Sequence, residues 1–401
     1  MSECAVDVHR DIADYFKDQP LSVRVTAELP WQLVHGERYD QLRDYMTEVS
    51  RLQALLAHNE LDAIAYWRRL SEHFDMSSEL LTAVQRQASA ATTGEDSDAL
   101  YAAASLLQIA GRREAAVTAL RCVLKVDERL FGSEGMKFVR DLSSLGLELL
   151  RSGSEEAKKH LQQAADLMRS SPDPDPTELA MTLNNLALYY AERGDTAKND
   201  HYRQQALNIL GQHEQESAAL ATVLYNSVAR VEPHEAAQRL RRALAIVEKF
   251  YGRFHPHRAM YLTELADQLV TLRPLEAERS ATEALFVVQS VYGDENQRCI
   301  EPMKVLAQLK CRSYKVPEGE ALLRKAIQIE LAAPESSELI LNHLRQMLAI
   351  ALLMSVETGG IAESKRQEAK SLLQHALSFW ESDRRYQGFA KEVRQKLAEI
   401  G

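Results

Sequence analysis

The feature that most constrains this chain is a repeat of about 42 residues. A compact residue near the middle of an apolar helical stretch recurs seven times, with steps of 41, 42, 37, 41, 42 and 50 residues. Its occurrences are Val123, Ala164, Ala206, Ala243, Ala284, Ala326 and Ala376. Self-similarity at such a period is the signature of an array of stacked supersecondary units. The sequence therefore predicts a repeat array rather than one globular core.

Residues 179–210, "LAMTLNNLALYYAERGDTAKNDHYRQQALNIL", show what one unit contains. Apolar residues recur with a helical period on both sides of a break at Gly194 and Asp195. Each predicted helix has about 14 residues, a length that is marginal in isolation because helix nucleation is unfavourable. We therefore expect each helix pair to be stable only when a neighbouring pair packs against it.

Small residues at a fixed place in the first helix of each unit support this prediction. Leu-Ala recurs at 186–187, 265–266 and 306–307, with Leu145-Gly146 and Val228-Ala229 as variants. A larger side chain there would overpack the contact between the two helices of a unit, at a cost of roughly 1–3 kcal/mol. Only 16 Gly and 11 Pro occur in 401 residues, which favours an all-α fold.

Two irregular steps indicate where units deviate. The step of 37 suggests that about five residues are missing between the helices of the unit containing "LYNSVARVEPHEAAQRL". The step of 50 coincides with "SVETGGIAESKR" at 355–366, which we expect to form a loop.

The LNNLA segment, the E-A-x6-A-L spacing, the Tyr-Gly endings and "HPHRA" resemble tetratricopeptide repeats of the kinesin-light-chain type. The resemblance covers roughly residues 98–380, about seven units. It implies a right-handed α-solenoid of tetratricopeptide helix pairs. The first helix of each pair would line a concave groove that binds a partner protein or an extended peptide.

The fifth position of each first helix would point into that groove. Every member of this column is polar, although its flanking positions are mainly apolar. A side-chain amide both donates and accepts hydrogen bonds, so it can bind the backbone of an extended peptide. The alternative is that these residues merely form a solvated helix face. The predicted peptide-binding residues are Ser143, Asn184, Asn226, Thr263, Lys304 and Gln346.

The two ends of the chain do not follow the repeat. Residues 1–97 have helical periodicity, and we expect Trp31, Tyr45, Tyr66 and Trp67 to anchor them on the first repeat as a helical cap. "ELPWQL" and the later "YW" resemble the segment that precedes the repeats in nephrocystin three and related NACHT/STAND proteins. That resemblance implies ciliary or signalling partners. It also implies an alternative function, the ligand-sensing arm of a nucleotide-dependent switch, although G-x4-G-K-[ST] is absent from this sequence. Residues 381–401 are predicted to form a C-terminal capping helix.

Composition and motifs exclude several other functions. The formal net charge of −10, without a basic cluster, argues against nucleic-acid binding. The longest apolar run, at 347–356, is too short to cross a membrane. Four cysteines without paired spacing indicate a reducing, cytoplasmic location. His255 and His257 lack further ligands, so we expect an inter-repeat turn there and no metal or cofactor. No catalytic motif is present, and the predicted protein is a non-enzymatic scaffold.

Overall fold

The computed structural model describes residues 3–212, 216–229, 231–333, 336–357, 362–383 and 386–400. These residues form twenty α-helices and one short 3-10 helix, and no β-strand occurs among them. The chain divides into two compact units, Met1–Asn226 and Ser227–Gly401. The all-α fold predicted from the sequence is therefore confirmed.

The first unit begins with five helices that do not follow the repeat. Helix α4 packs against α6, and α5 packs against α6 and α7. Tyr45 and Trp67 are buried, and Tyr66 is partly buried. Trp31, which was also expected to be an anchor, is instead 43% exposed. It lies at the surface, where its ring contacts those of His9 and His35. The five helices are α1 (Glu3–Lys17), α2 (Val23–His35), α3 (Tyr39–Thr47), α4 (Val49–Leu70) and α5 (Met76–Ala88).

The remainder of the first unit consists of helix pairs that follow one another in chain order. Within a pair the two helices pack together, and the second packs against the first helix of the next pair. The helices are α6 (Gly94–Ile109), α7 (Arg113–Phe131), α8 (Met136–Arg151), α9 (Glu156–Ser170), α10 (Pro176–Glu192), α11 (Thr196–Gly211) and α12 (Ala218–Asn226). This sequential packing is that of an α-solenoid.

The second unit repeats the same arrangement. Helix α13 packs against α14, after which the pairs α14/α15, α16/α17 and α18/α19 follow, and α20 packs against α19. The helices are α13 (Pro233–Tyr251), α14 (Pro256–Leu269), α15 (Pro274–Tyr292), α16 (Ile300–Arg312), α17 (Val316–Ala332), α18 (Glu338–Glu357), α19 (Ala362–Glu381) and α20 (Gln387–Ile400). The 3-10 helix, Gln297–Cys299, leads into α16.

The residues that defined the repeat lie in the core. All seven of the compact residues spaced about 42 apart have 0% exposure. Gly146 shows why the first helix needs a small residue at its joint. A Cβ built there would lie 2.7 Å from Leu161 Cγ of α9. Ala187, Ala266 and Ala307, which occupy the corresponding position, are fully buried.

The repeat with the short step differs from the expectation. The shortening lies in its first helix, because α12 has only 9 residues and ends at Asn226, well before α13 begins at Pro233. Val228 is still buried, but Ala229 is exposed because the chain has already left the helix. The expected loop at 355–366 is also shorter, since α18 extends to Glu357 and α19 begins at Ala362. The residues between these helices lie outside the described part of the chain.

Candidate functional site

In the first unit, the predicted column residues bond to neighbouring repeats. Ser143 Oγ lies 2.8 Å from Thr182 Oγ1 of α10. Asn226 Nδ2 donates to Asn184 Oδ1 at 3.3 Å. Asn184 is 1% exposed, and its Nδ2 atom has no hydrogen-bond partner among the described residues. These three residues therefore lie on the first helices of successive pairs, where only Asn226 is partly exposed.

In the second unit, the other three column residues line one cavity of about 500 Å³. Thr263 Oγ1 donates to the Ala259 carbonyl of its own helix at 2.9 Å. Lys304 Nζ lies 2.9 Å from Glu301 Oε2. Gln346 Oε1 accepts a hydrogen bond of 3.2 Å from Nε1 of the fully buried Trp380. A cavity of this size lies within the range of roughly 300–1,000 Å³ that is usual for ligand sites.

The walls of the cavity come mainly from the first helices of three consecutive pairs and from α20, and α17 adds Leu323. Helices α14, α16 and α18 contribute most of the lining, and α20 contributes Phe389 and Glu392. Phe389 stacks on Trp380 with ring centroids 4.9 Å apart. The buried residues Ala390 and Val393 provide the apolar side of α20, which packs on α19. The helix that follows the last pair therefore contributes to the cavity wall.

One part of the lining is apolar. On α18, Met347, Ile350 and Met354 recur with a helical spacing of three and four, so they share one face. Ile350 and Phe389 are each 37% exposed, although both are large apolar residues. Val305 of α16 adjoins the same cavity. This surface can bury an apolar group of a ligand.

The other part of the lining is acidic. Four carboxyl groups line the cavity, against two basic side chains and His343. Desolvation raises the pKa of Glu264 and the nearby carboxylates of Asp267 and Glu301 add to the shift, although a hydrogen bond of 3.0 Å from Gln268 Nε2 opposes it. Desolvation likewise raises the pKa of Asp267, although the Lys304 ammonium opposes that shift. An incoming cation would therefore stabilise ionised groups that the site itself stabilises poorly.

His343 lies near these charges on α18. Desolvation, followed by the nearby Lys304 ammonium, lowers the pKa of this imidazole, whereas Glu301 and Glu392 oppose the shift. The cavity therefore favours the neutral imidazole of His343 over its protonated form. Lys304 is the positively charged member of the predicted column. Because it is paired with Glu301, it does not give the cavity a net positive charge.

Sequence reasoning missed several of the lining residues. His343, Phe389 and Glu392 lie outside the counted column, and the last two belong to α20, which follows the residues predicted to form the repeats. A signal did exist for α18, because "MLAIALLMSV" at 347–356 is more apolar than one buried helix face requires. The apolar residues beyond those needed for the buried face include Met347 and Met354, which line the cavity.

The histidine of the predicted inter-repeat turn has a structural role, and the buried cysteines of the second unit have raised thiol pKa values. His255 caps the start of α14, where its Nδ1 accepts a hydrogen bond from the His257 amide at 3.2 Å. Burial raises the pKa of the Cys299 thiol to about 11 and also raises that of Cys311, so neither is a thiolate at neutral pH. Within the described ranges, no group of three or more His, Cys, Asp and Glu side chains could hold a metal ion. Across those same ranges, no helix has both the length and the apolarity that a membrane crossing requires.

No protein-family model matches this sequence, and no curated protein matches it. Several solved structures are similar to this chain, and they include the following three. The apo form of the quorum sensor NprR from B. thuringiensis has 16% identity and a TM-score of 0.49, over 91% of this chain and 99% of that chain. A Rap protein complexed with Competence and Sporulation Factor has 14% identity and a TM-score of 0.42, over 94% of this chain and 99% of that chain.

The third is a putative kinesin light chain of Podosopora anserina with nearly identical TPR-like repeats. It has 18% identity and a TM-score of 0.34, over 54% of this chain and 98% of that chain. Because every TM-score is below 0.5, none of these similarities establishes a function. The resemblance of residues 1–97 to nephrocystin three stays a prediction.

Proposed function

We propose that this protein is a non-enzymatic interaction scaffold that binds a peptide or a segment of a partner protein on the first helices of its repeats. The observation that carries the proposal is the cavity of about 500 Å³ in the second unit. Three of the six residues predicted from the repeat register, Thr263, Lys304 and Gln346, lie in its wall. Exposed apolar side chains lie beside them, and burial of such surface drives most protein association.

The binding role of the column in the first unit, Ser143, Asn184 and Asn226, stays a prediction. The alternative, a sensor arm of a nucleotide-dependent switch, stays a prediction as well. A phosphate-binding loop on the same polypeptide would support that alternative.

The experiment compares two variants that add the same charge. Ile350→Glu places a carboxylate in the cavity wall, whereas Leu331→Glu places one on an exposed part of α17 that does not line the cavity. Proteins captured from lysate by the full chain would be quantified by mass spectrometry. We expect Ile350→Glu to reduce capture of specific partners by about fivefold or more, which corresponds to loss of one significant contact. Equal capture by both variants would refute the proposal.

A further inference from the structure

The charges of the cavity indicate what kind of segment it binds. Glu264 and Asp267 lie on one face of α14, and within the described ranges neither forms an ion pair within 4.0 Å. Lys304 is already paired with Glu301, so it does not neutralise the α14 carboxylates by direct contact. Glu392 adds a fourth carboxylate from α20. Because acidic groups exceed basic groups here, a cationic group gains more from entering than an anionic one.

The apolar wall limits which cation would fit. Met347, Ile350 and Met354 cover the α18 side of the same cavity that the carboxylates of α14 and α16 line. Methionine adapts to irregular apolar groups because its side chain is unbranched and polarisable. A hydrated metal ion or a bare ammonium would leave this wall in contact with water. A ligand that carries an apolar group beside its cation would cover both surfaces.

We infer that the cavity binds a peptide segment in which a lysine or arginine stands next to a large apolar residue. The inference rests on the proposed binding function and specifies its ligand. The basic group approaches Glu264 and Asp267, and the apolar side chain packs between Ile350 and Phe389. The aliphatic part of the basic side chain also contacts the apolar wall, since such chains bury their stems while the charged end stays in a polar environment.

The test uses the full chain and an array of synthetic peptides of about nine residues with blocked ends. The peptides share random uncharged flanks and differ in a central Lys-Leu, Glu-Leu or Lys-Ser pair. We expect the Lys-Leu group to bind best, and the strongest member is then measured by fluorescence anisotropy. The double variant Glu264→Gln/Asp267→Asn should weaken that peptide by about tenfold or more, as expected when hydrogen bonds to charged groups are lost.

The matched control is Asp294→Asn/Glu295→Gln, which removes two exposed carboxylates of the same unit that do not line the cavity. It should leave the affinity within about twofold at moderate ionic strength, because distant exposed charges are screened. Thermal unfolding of both double variants would show that each remains folded. An equal loss in the control would overturn the inference, since the effect would then be one of net charge.

The remaining outcomes separate the two proposals. Equal or stronger binding of Glu-Leu peptides, abolished by Ile350→Glu, would overturn the basic-ligand inference and leave the interaction function standing. Binding of free lysine amide as tight as that of the best peptide would overturn the peptide assignment in favour of a small amine. If no peptide distinguished the wild-type chain from Ile350→Glu, both proposals would fail.

Discussion

A buried carboxyl pair in the first unit gives the sharpest stability prediction. Asp127 of α7 and Asp141 of α8 both have 0% exposure. Ser97 donates a hydrogen bond to Asp127, and Arg140 Nε donates one to Asp141 Oδ1 at 3.0 Å. Burial, together with the adjacent Asp127 carboxyl, raises the pKa of Asp141 to about 8, although Arg140 opposes the shift. Asp141 is therefore mostly protonated in the folded protein at pH 7.

The sign of the pH dependence follows from this raised value. In the unfolded chain the carboxyl has its ordinary pKa of 3.8, so folding takes up a proton between about pH 4 and pH 8. The contribution of the Asp141 carboxyl to the free energy of unfolding is fully present below pH 4 and is lost as the pH rises to 8. Since one pKa unit corresponds to about 1.36 kcal/mol, the free energy of unfolding falls by up to about 4 kcal/mol between pH 5 and pH 8.

The perturbation that tests this reasoning is Asp141→Asn, which keeps the shape and a hydrogen-bond donor but removes the titration. Urea unfolding followed by circular dichroism would be measured at pH 5, 6, 7 and 8 for both proteins. We expect the variant to gain stability relative to the wild type steadily across this range.

Asp96→Asn is the control, because hydrogen bonds from the Thr92 and Thr93 amides lower the pKa of that exposed carboxyl. Its difference from the wild type should be constant above pH 5. Parallel profiles for the Asp141 variant and the wild type would refute the assignment of a protonated buried carboxyl.

Three further predictions concern packing and thiol chemistry. Gly146→Ala should destabilise the first unit by about 1 kcal/mol, because overpacking outweighs the gain in helix propensity. Gly388→Ala is the control and should not destabilise the protein, because no atom lies within 4 Å of the added methyl group. Chemical denaturation would measure the free energy of unfolding of both variants. Trp380→Phe should lower the free energy of unfolding by about 1–3 kcal/mol, because it leaves a buried amide oxygen of α18 without its donor. In a thiol titration of the native protein, the exposed Cys4 should react quickly and the buried Cys299 only after denaturant is added; fast reaction of Cys299 would contradict its burial.

The repeat could be predicted from the sequence because its strongest constraint is steric. Residues such as Ala206 and Ala284 recur at the repeat period, and all seven residues that define this period are fully buried. The prolines Pro176, Pro233, Pro256 and Pro274 lie at the predicted breaks between helices, and in the structure each occupies the first position of the helix that follows. Proline suits that position because its missing amide hydrogen has no intrahelical partner there.

The environment of the column residues could not be predicted, because it depends on contacts between repeats. Register places Asn184 and Lys304 at equivalent positions of their helices. The structure nevertheless buries Asn184 beside Asn226 and places Lys304 in a cavity, paired with Glu301. The difference comes from the neighbouring side chains, which vary from one unit to the next. A repeat pattern specifies which face a residue occupies but not the size of its neighbours.

Part of the cavity wall comes from α20, the helix that follows the pair α18/α19. In a repeat array each helix pair is followed by the next pair, which repeats the same groove surface. Helix α20 follows α19, and its Phe389 stacks on the buried Trp380 while its Glu392 joins the carboxylates of the cavity. Trp380 in turn holds Gln346, the last residue of the predicted column. Helix α20 thus supplies part of the wall and supports another part through Trp380. Because neither Phe389 nor Glu392 belongs to the predicted column, the proposed ligand preference of this site depends on residues that the repeat pattern does not specify.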